Sequence, residues 1–299
     1  MNEFYDRLDE LYSQGDLAAI EKYLLEAVSQ TNDQSPERAA LLNELAGFYR
    51  GISRYTASED AFIKSLNIFE SANMEATPEY ATVLLNLAGL YRLMGDSEKA
   101  IDLFKNAMSK LEASGATDSY AYVSILNNIA LAYQEKGEPQ QALQYASKAL
   151  ELMRTFASGD HEIATSLNNL ASIRLGLGEL DTADTLVTEA LEYYDAMPEP
   201  NVHHAAAITT KAAIMSRRGD YKSALAGFRK ALDLTQRFFG ENIEFAICKR
   251  NISEICELLG DNATAAQELT DAIHTMERLL PPDHPAIKSA RDKLTKILE

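Results

Sequence analysis

A chain of 299 residues with 46% hydrophobic and 24% charged residues can bury a continuous core, which sets aside a disordered chain. A net charge of −17 argues against nucleic acid and against anionic bilayers, since both are held by Lys and Arg. The apolar runs are too short to span a bilayer, and the start Met1-Asn2-Glu3-Phe4-Tyr5-Asp6 lacks the basic and apolar stretches of a secretory signal. The expectation is a cytoplasmic protein that binds neither nucleic acid nor membrane.

The predicted elements are helices in pairs, and the pairs recur. Leu42-Asn43-Glu44-Leu45-Ala46 is echoed by Leu85-Asn86-Leu87-Ala88, Leu126-Asn127-Asn128-Ile129-Ala130, Leu167-Asn168-Asn169-Leu170-Ala171 and Arg250-Asn251-Ile252-Ser253. The small residue steps through 46, 88, 130, 171, 212 and 253, a period of 41 or 42 residues. Such a period marks a repeat array. Seven units are expected over residues 1–282, starting near 1, 39, 81, 123, 164, 205 and 246, the first of them short and degenerate. Residues 283–299 are expected to form one last helix that covers the exposed apolar end of the array, with Ala286, Ala290, Leu294 and Ile297 on its inner side.

Within each unit the first helix carries an apolar stripe at spacings of three and four, as in Leu84, Leu87, Ala88 and Tyr91. It stops at Gly15, Gly95, Gly137, Gly178, Gly219 or Gly260, with Ser53 as the exception. The second helix then places small residues seven apart (Ala100 and Ala107, Ala142 and Ala149, Ala183 and Ala190), which let its partner approach closely. A bulky residue sits between them, Phe62, Phe104, Val187, Phe228 or Leu269, and Ala146 breaks that rule. Ser35-Pro36 and Thr77-Pro78 read as a cap followed by proline in the first turn.

This order of residues resembles the tetratricopeptide repeat (TPR), and the long period with Leu-Asn-Asn-Leu-Ala resembles its kinesin light chain subclass. The linker Gly159-Asp160-His161 carries the subclass likeness, with Pro281-Pro282-Asp283-His284-Pro285 as a second copy. The resemblance implies an all-α, right-handed superhelical solenoid of antiparallel helix pairs. It also implies a concave groove, lined by the first helices, for a peptide or protein segment.

The groove candidates are Asn43, Arg50, Asn86, Arg92, Asn127, Gln134, Asn168, Ser172, Thr209 and Arg250. Asparagine offers both an acceptor and two donors, which suits an extended peptide backbone. Asn43, Asn127 and Asn168 are assigned to the groove, and Asn128 and Asn169 are placed nearer the core. Arg50 and Arg92 occupy equivalent places one repeat apart, and a guanidinium suits a carboxylate. They either read an acidic ligand or pair with acidic residues of a neighbouring repeat.

The remaining motifs favour structure over chemistry. Cys248 and Cys256 lie eight residues apart in one helix, roughly 12 Å along its axis, too far for a disulfide and so expected as free thiols. Lys211 stands where other repeats have Leu or Ile and is expected to run its stem through the core and its head to solvent. His161 and His284 are expected to cap helices, and His203-His204 reads as an isolated loop pair. No catalytic, metal or cofactor motif is present, so the chain is read as no enzyme. Three functions fit: a groove-binding scaffold, a scaffold that self-associates through its convex face or ends, and a peptide-sensing regulator with a separate effector. An oligomer is compatible with each.

Overall fold

The computed structural model describes residues 2–156, 159–280, 282 and 284–299. Pro281 and Asp283 of the second linker copy, and the expected boundary at 283, lie outside the described residues. Among the described residues there are fifteen helices and no strand. They form two compact units, 1–177 and 178–299.

Unit 1 contains α1 (Asn2–Gln14), α2 (Leu17–Ser29), α3 (Pro36–Gly51), α4 (Tyr55–Ser71), α5 (Pro78–Leu93), α6 (Ser97–Ala113), α7 (Tyr120–Glu135), α8 (Pro139–Met153) and α9 (Asp160–Gly176). Unit 2 contains α10 (Leu180–Asp195), α11 (Val202–Arg217), α12 (Tyr221–Phe239), α13 (Ile243–Leu258), α14 (Asn262–Leu279) and α15 (Pro285–Leu298). From α3 on, each expected repeat start falls in the first turn or so of an odd-numbered helix. The fifth expected repeat is divided by the boundary between the units.

Local chemistry fixes the hairpins. Gly15, Gly95, Gly219 and Gly260 each adopt positive φ, 69–84°, and end the first helix. The aspartate that follows each, Asp16, Asp96, Asp220 or Asp261, accepts a backbone N–H in the first turn of the second helix. Stop and start are thus adjacent residues, so the two helices fold straight back on each other. Ser53 takes the same left-handed conformation without being glycine, at φ 60°. Ser35 and Thr77 cap α3 and α5 with Pro36 and Pro78 in the first turn.

The small residues at the hairpin seam are almost all fully buried, as are Phe62 and Phe104, which insert between them. Where the small residue is serine, its hydroxyl returns to the partner helix. Ser58 donates to the Ala46 carbonyl at 2.8 Å, Ser65 to Ala39 at 2.7 Å and Ser253 to Ala265 at 2.7 Å. A buried hydroxyl therefore keeps its partner, and alanine and serine are interchangeable in packing. In unit 2, Ile287, Ala290 and Ile297 of α15 join the core formed by Ile252, Ile255, Leu269 and Met276. Cys248 and Cys256 are buried free thiols.

Candidate binding faces

In unit 1 the first helices α3, α5, α7 and α9 touch one another in succession, and their polar residues bridge repeats. Asn86 donates to Asn43 Oδ1 at 2.9 Å. Arg50 donates to the Asn86 carbonyl at 3.1 Å. Gln134 donates to the Ser172 carbonyl at 3.1 Å, and Asn127 to Ser166 Oγ at 2.8 Å. Gly89 allows the approach of Arg50, because a Cβ there would stand 3.0 Å from Arg50 Nη1.

The burial order of the asparagines is the reverse of the sequence expectation. Asn127 and Asn168 are 4% and 7% exposed, while Asn128 and Asn169 are half-buried. Asn127 is buried at the seam between successive first helices, where it reaches Ser166 of α9. The Oδ1 atoms of Asn127 and Asn168 are buried without a hydrogen-bond partner among the described residues. Asn128 turns back on its own helix, donating to the Ser124 carbonyl at 2.9 Å.

The two arginines differ. Arg92 pairs with Glu135 of the next repeat, and its Nε is buried without a partner. Burial holds the Glu135 carboxyl above its ordinary value, against the pull of Arg92. Arg50 is half-buried and bonded to a backbone carbonyl. Desolvation, then the Arg92 charge, push it down to about 10. A desolvated guanidinium that feels the charge of a second one forms a cationic centre.

In unit 2 the candidate Thr209 donates to its own helix at Ala205, and Arg250 is exposed. Lys211 does carry its head out of the core, to Asp184 at 2.6 Å and Thr188 at 2.8 Å. Arg218 joins Lys211 at Asp184 and also pairs with Asp181; against desolvation, the two cations hold Asp184 below its ordinary value. Lys249 pairs with Glu268 at 2.7 Å and Asp271 at 3.0 Å.

The second-helix side carries contacts that the sequence reading missed. Tyr80 donates to Glu70 and Tyr122 to Glu112, each at 2.8 Å, joining a first helix to the preceding second helix. Tyr49 with Glu21 and Tyr91 with Glu59 repeat the device nearer the turn. An acid ten residues before a tyrosine, in Glu70–Tyr80 and Glu112–Tyr122, was a readable signal. His204 occupies the corresponding place in unit 2, stacked on Tyr194 with ring centroids 5.5 Å apart and Nε2 3.4 Å from Asp195. It is a buried helical residue, where the sequence suggested a loop. His161 likewise lies inside α9 without capping it, since Gly159 and Asp160 already start the helix; His284 does cap α15.

Residues 37–113 and 122–196, just over half of the chain, match the family described as tetratricopeptide repeat. No curated protein matches the chain in sequence. Among solved structures, NprR in complex with its cognate peptide NprX is 17% identical, over 99% of this chain and 87% of that chain, with a TM-score of 0.68. A Rap protein complexed with competence and sporulation factor is 14% identical over 99% and 98%, with a TM-score of 0.60. A tetratricopeptide repeat protein from Parabacteroides merdae is 16% identical over 100% and 98%, with a TM-score of 0.56. At such identities the likeness is one of fold, and the match in sequence carries the assignment: this chain belongs to the tetratricopeptide repeat family.

Proposed function

We propose that this chain is a non-catalytic cytoplasmic scaffold that binds a peptide or protein segment on the first-helix face of unit 1. The observation that carries the reading is the Arg50–Arg92 centre. A desolvated guanidinium under the field of a second one is relieved by an anion, and among the described residues the acid paired with this centre is Glu135, on Arg92. An acidic side chain or a terminal carboxylate of the ligand would sit between the two guanidinium groups. Asn43, Asn86, Gln134 and Ser172 would line the path along which its backbone runs, above the buried Asn127 and Asn168. In unit 2, Thr209 and Arg250 are the corresponding candidates.

A peptide array probed with the wild-type chain is the test. Retained peptides should be rich in Asp and Glu, and their binding should weaken with salt. Arg50→Gln with Arg92→Gln should weaken them by roughly 10- to 100-fold at unchanged helicity by circular dichroism. Equal binding by the folded variant would remove the face from consideration and favour a scaffold working through its convex side or ends. A second reading, a peptide-sensing regulator with a separate effector, draws support from the likeness to NprR held with its cognate peptide. It requires the chain to compact in small-angle scattering when such a peptide is added.

A further inference from the structure

Two junctions between hairpins in unit 1 are filled by a tyrosine under a lysine, the α8–α9 junction has Ile163 at that position, and the first junction is open. At the α4–α5–α6 junction, Tyr80 is buried between the second helices, with Lys110 Nζ 5.7 Å from its ring centroid. At the α6–α7–α8 junction, Tyr122 fills the same place, with Lys148 Nζ 5.4 Å from its ring centroid and 3.4 Å from its hydroxyl. At the α2–α3–α4 junction the equivalent residue is Arg38, eight before Ala46 as Tyr80 is eight before Ala88. Arg38 lies along the side of the resulting cleft with its partner Asp33, donating to the Val28 carbonyl at 2.8 Å and the Thr31 carbonyl at 3.3 Å at the end of α2.

The result is a cleft of about 780 Å³ between α2 and α4. Its floor is Leu42, Leu45 and Ile68, and one wall is Leu25, 45% exposed. Lys64 lies on α4 at the cleft, one residue before Ser65, just as Lys148 lies one residue before Ala149. The cation that covers a tyrosine at the later junction is therefore present here, and the ring is not.

We propose that this cleft is a docking seat for a tyrosine side chain presented by a segment of a partner protein. The chemistry is set by the chain's own filled replicas. The apolar floor takes the ring, which as an aromatic side chain buries about 150–250 Å². Lys64 meets the electron-rich ring face and the phenol oxygen, a charge complementarity that an aliphatic side chain cannot use. The seat continues the line of inter-hairpin tyrosine sites, and it lies on the second-helix side, away from the Arg50–Arg92 centre. A second copy of this chain is a poor occupant, because each copy carries a net charge of −17.

The experiment is a methyl NMR titration of the full chain with N-acetyltyrosinamide, with N-acetylleucinamide as the comparison probe. The expected result is perturbation confined to Leu25, Val28, Leu42, Leu45 and Ile68 by the tyrosine probe, at about millimolar affinity. Lys64→Glu should weaken it about fivefold or more. Arg38→Tyr, which fills the seat from within, should abolish it. Leu25→Asp, on an exposed wall, should also abolish it and guards against misfolding of the first variant. The proposal is overturned by no perturbation at about 20 mM probe, by an equal response to the leucine probe, or by binding that survives in folded Arg38→Tyr. Concentration-dependent self-association lost in Leu25→Asp would overturn it too, by assigning the seat to a second copy.

Discussion

At equivalent junctions, unit 1 uses Tyr80 with Glu70 and Tyr122 with Glu112, whereas unit 2 uses His204 with Asp195. The tyrosines are long enough to donate at 2.8 Å while their rings fill the space between helices. The imidazole is shorter, both of its nitrogens are buried without a hydrogen-bond partner, and Asp195 stands 3.4 Å away. Unit 2 places its polar contacts elsewhere, in the ion pairs of Lys211, Arg218 and Lys249. The repeat therefore tolerates different chemistry between hairpins as long as the seam within each hairpin is kept. Phe104 and Phe228 occupy that seam in the two units, exposed by 0% and 3%.

The largest effect is expected from attacking the shared seam. Phe104→Ala and Phe228→Ala should each cost about 3–5 kcal/mol, since neither site can collapse around the void. Hydrogen exchange should show protection lost around α5–α7 in the first variant and α11–α13 in the second. An effect in the same segments for both would mean that the two units do not respond as separate bodies.

What was legible follows the same division. The glycine stops, the small residues and the bulky inserts are dictated by backbone conformation and steric fit within one hairpin, so they repeat in the sequence and could be read there. The side on which Asn127 and Asn168 lie depends on how a first helix is rotated against the next one. A shift of one position turns a helix by about 100°, and the stripe of small and apolar residues fixes it no better than that. The place of His204 was hidden for another reason. Its ring is read correctly only beside Tyr80 and Tyr122, because Arg38, Tyr80, Tyr122, Ile163, His204 and Phe245 share the position with no common chemistry.

A smaller effect should come from the junctions themselves. Tyr122→Phe removes a hydrogen bond to a carboxylate and should cost about 1 kcal/mol at any pH near neutral, because the phenol, pushed up to about 12, stays protonated. His204 should behave differently. Desolvation lowers it from 6.5, opposed by Asp195 and assisted by Lys230, while Tyr194 presents only its ring face. The unfolded chain therefore takes up the proton first. The stability from a neutral His204 is full above pH 6.5 and is lost as pH falls through the lower folded value. Denaturant melts between pH 8 and pH 5 should show this loss in the wild type. His204→Tyr with Asp195→Glu, which installs the unit 1 pair in unit 2, should remove this histidine's share of it. A pH dependence unchanged in that variant would mean that other groups set the acid sensitivity.

The smallest effect distinguishes the helix stops. Ser53 ends α3 at φ 60°, a conformation that strains a residue with a Cβ, while Gly219 ends α11 at φ 83°. A Cβ added at Gly219 would meet nothing within 4 Å, so Gly219→Ser reports the left-handed strain, about 1–2 kcal/mol, less what stiffening the unfolded chain returns, a net loss of up to about 1 kcal/mol. The reverse change, Ser53→Gly, relieves the same strain but frees the unfolded chain by about 0.5–1 kcal/mol. Ser53 is also only 5% exposed, so its side chain gives up packing when removed. The net gain should be no more than a few tenths of a kcal/mol. Equal and opposite shifts in denaturation midpoint for the two substitutions would show that conformation alone sets the stop. A gain at Ser53 much smaller than the loss at Gly219 would show that unit 1 holds this turn by its side chain as well.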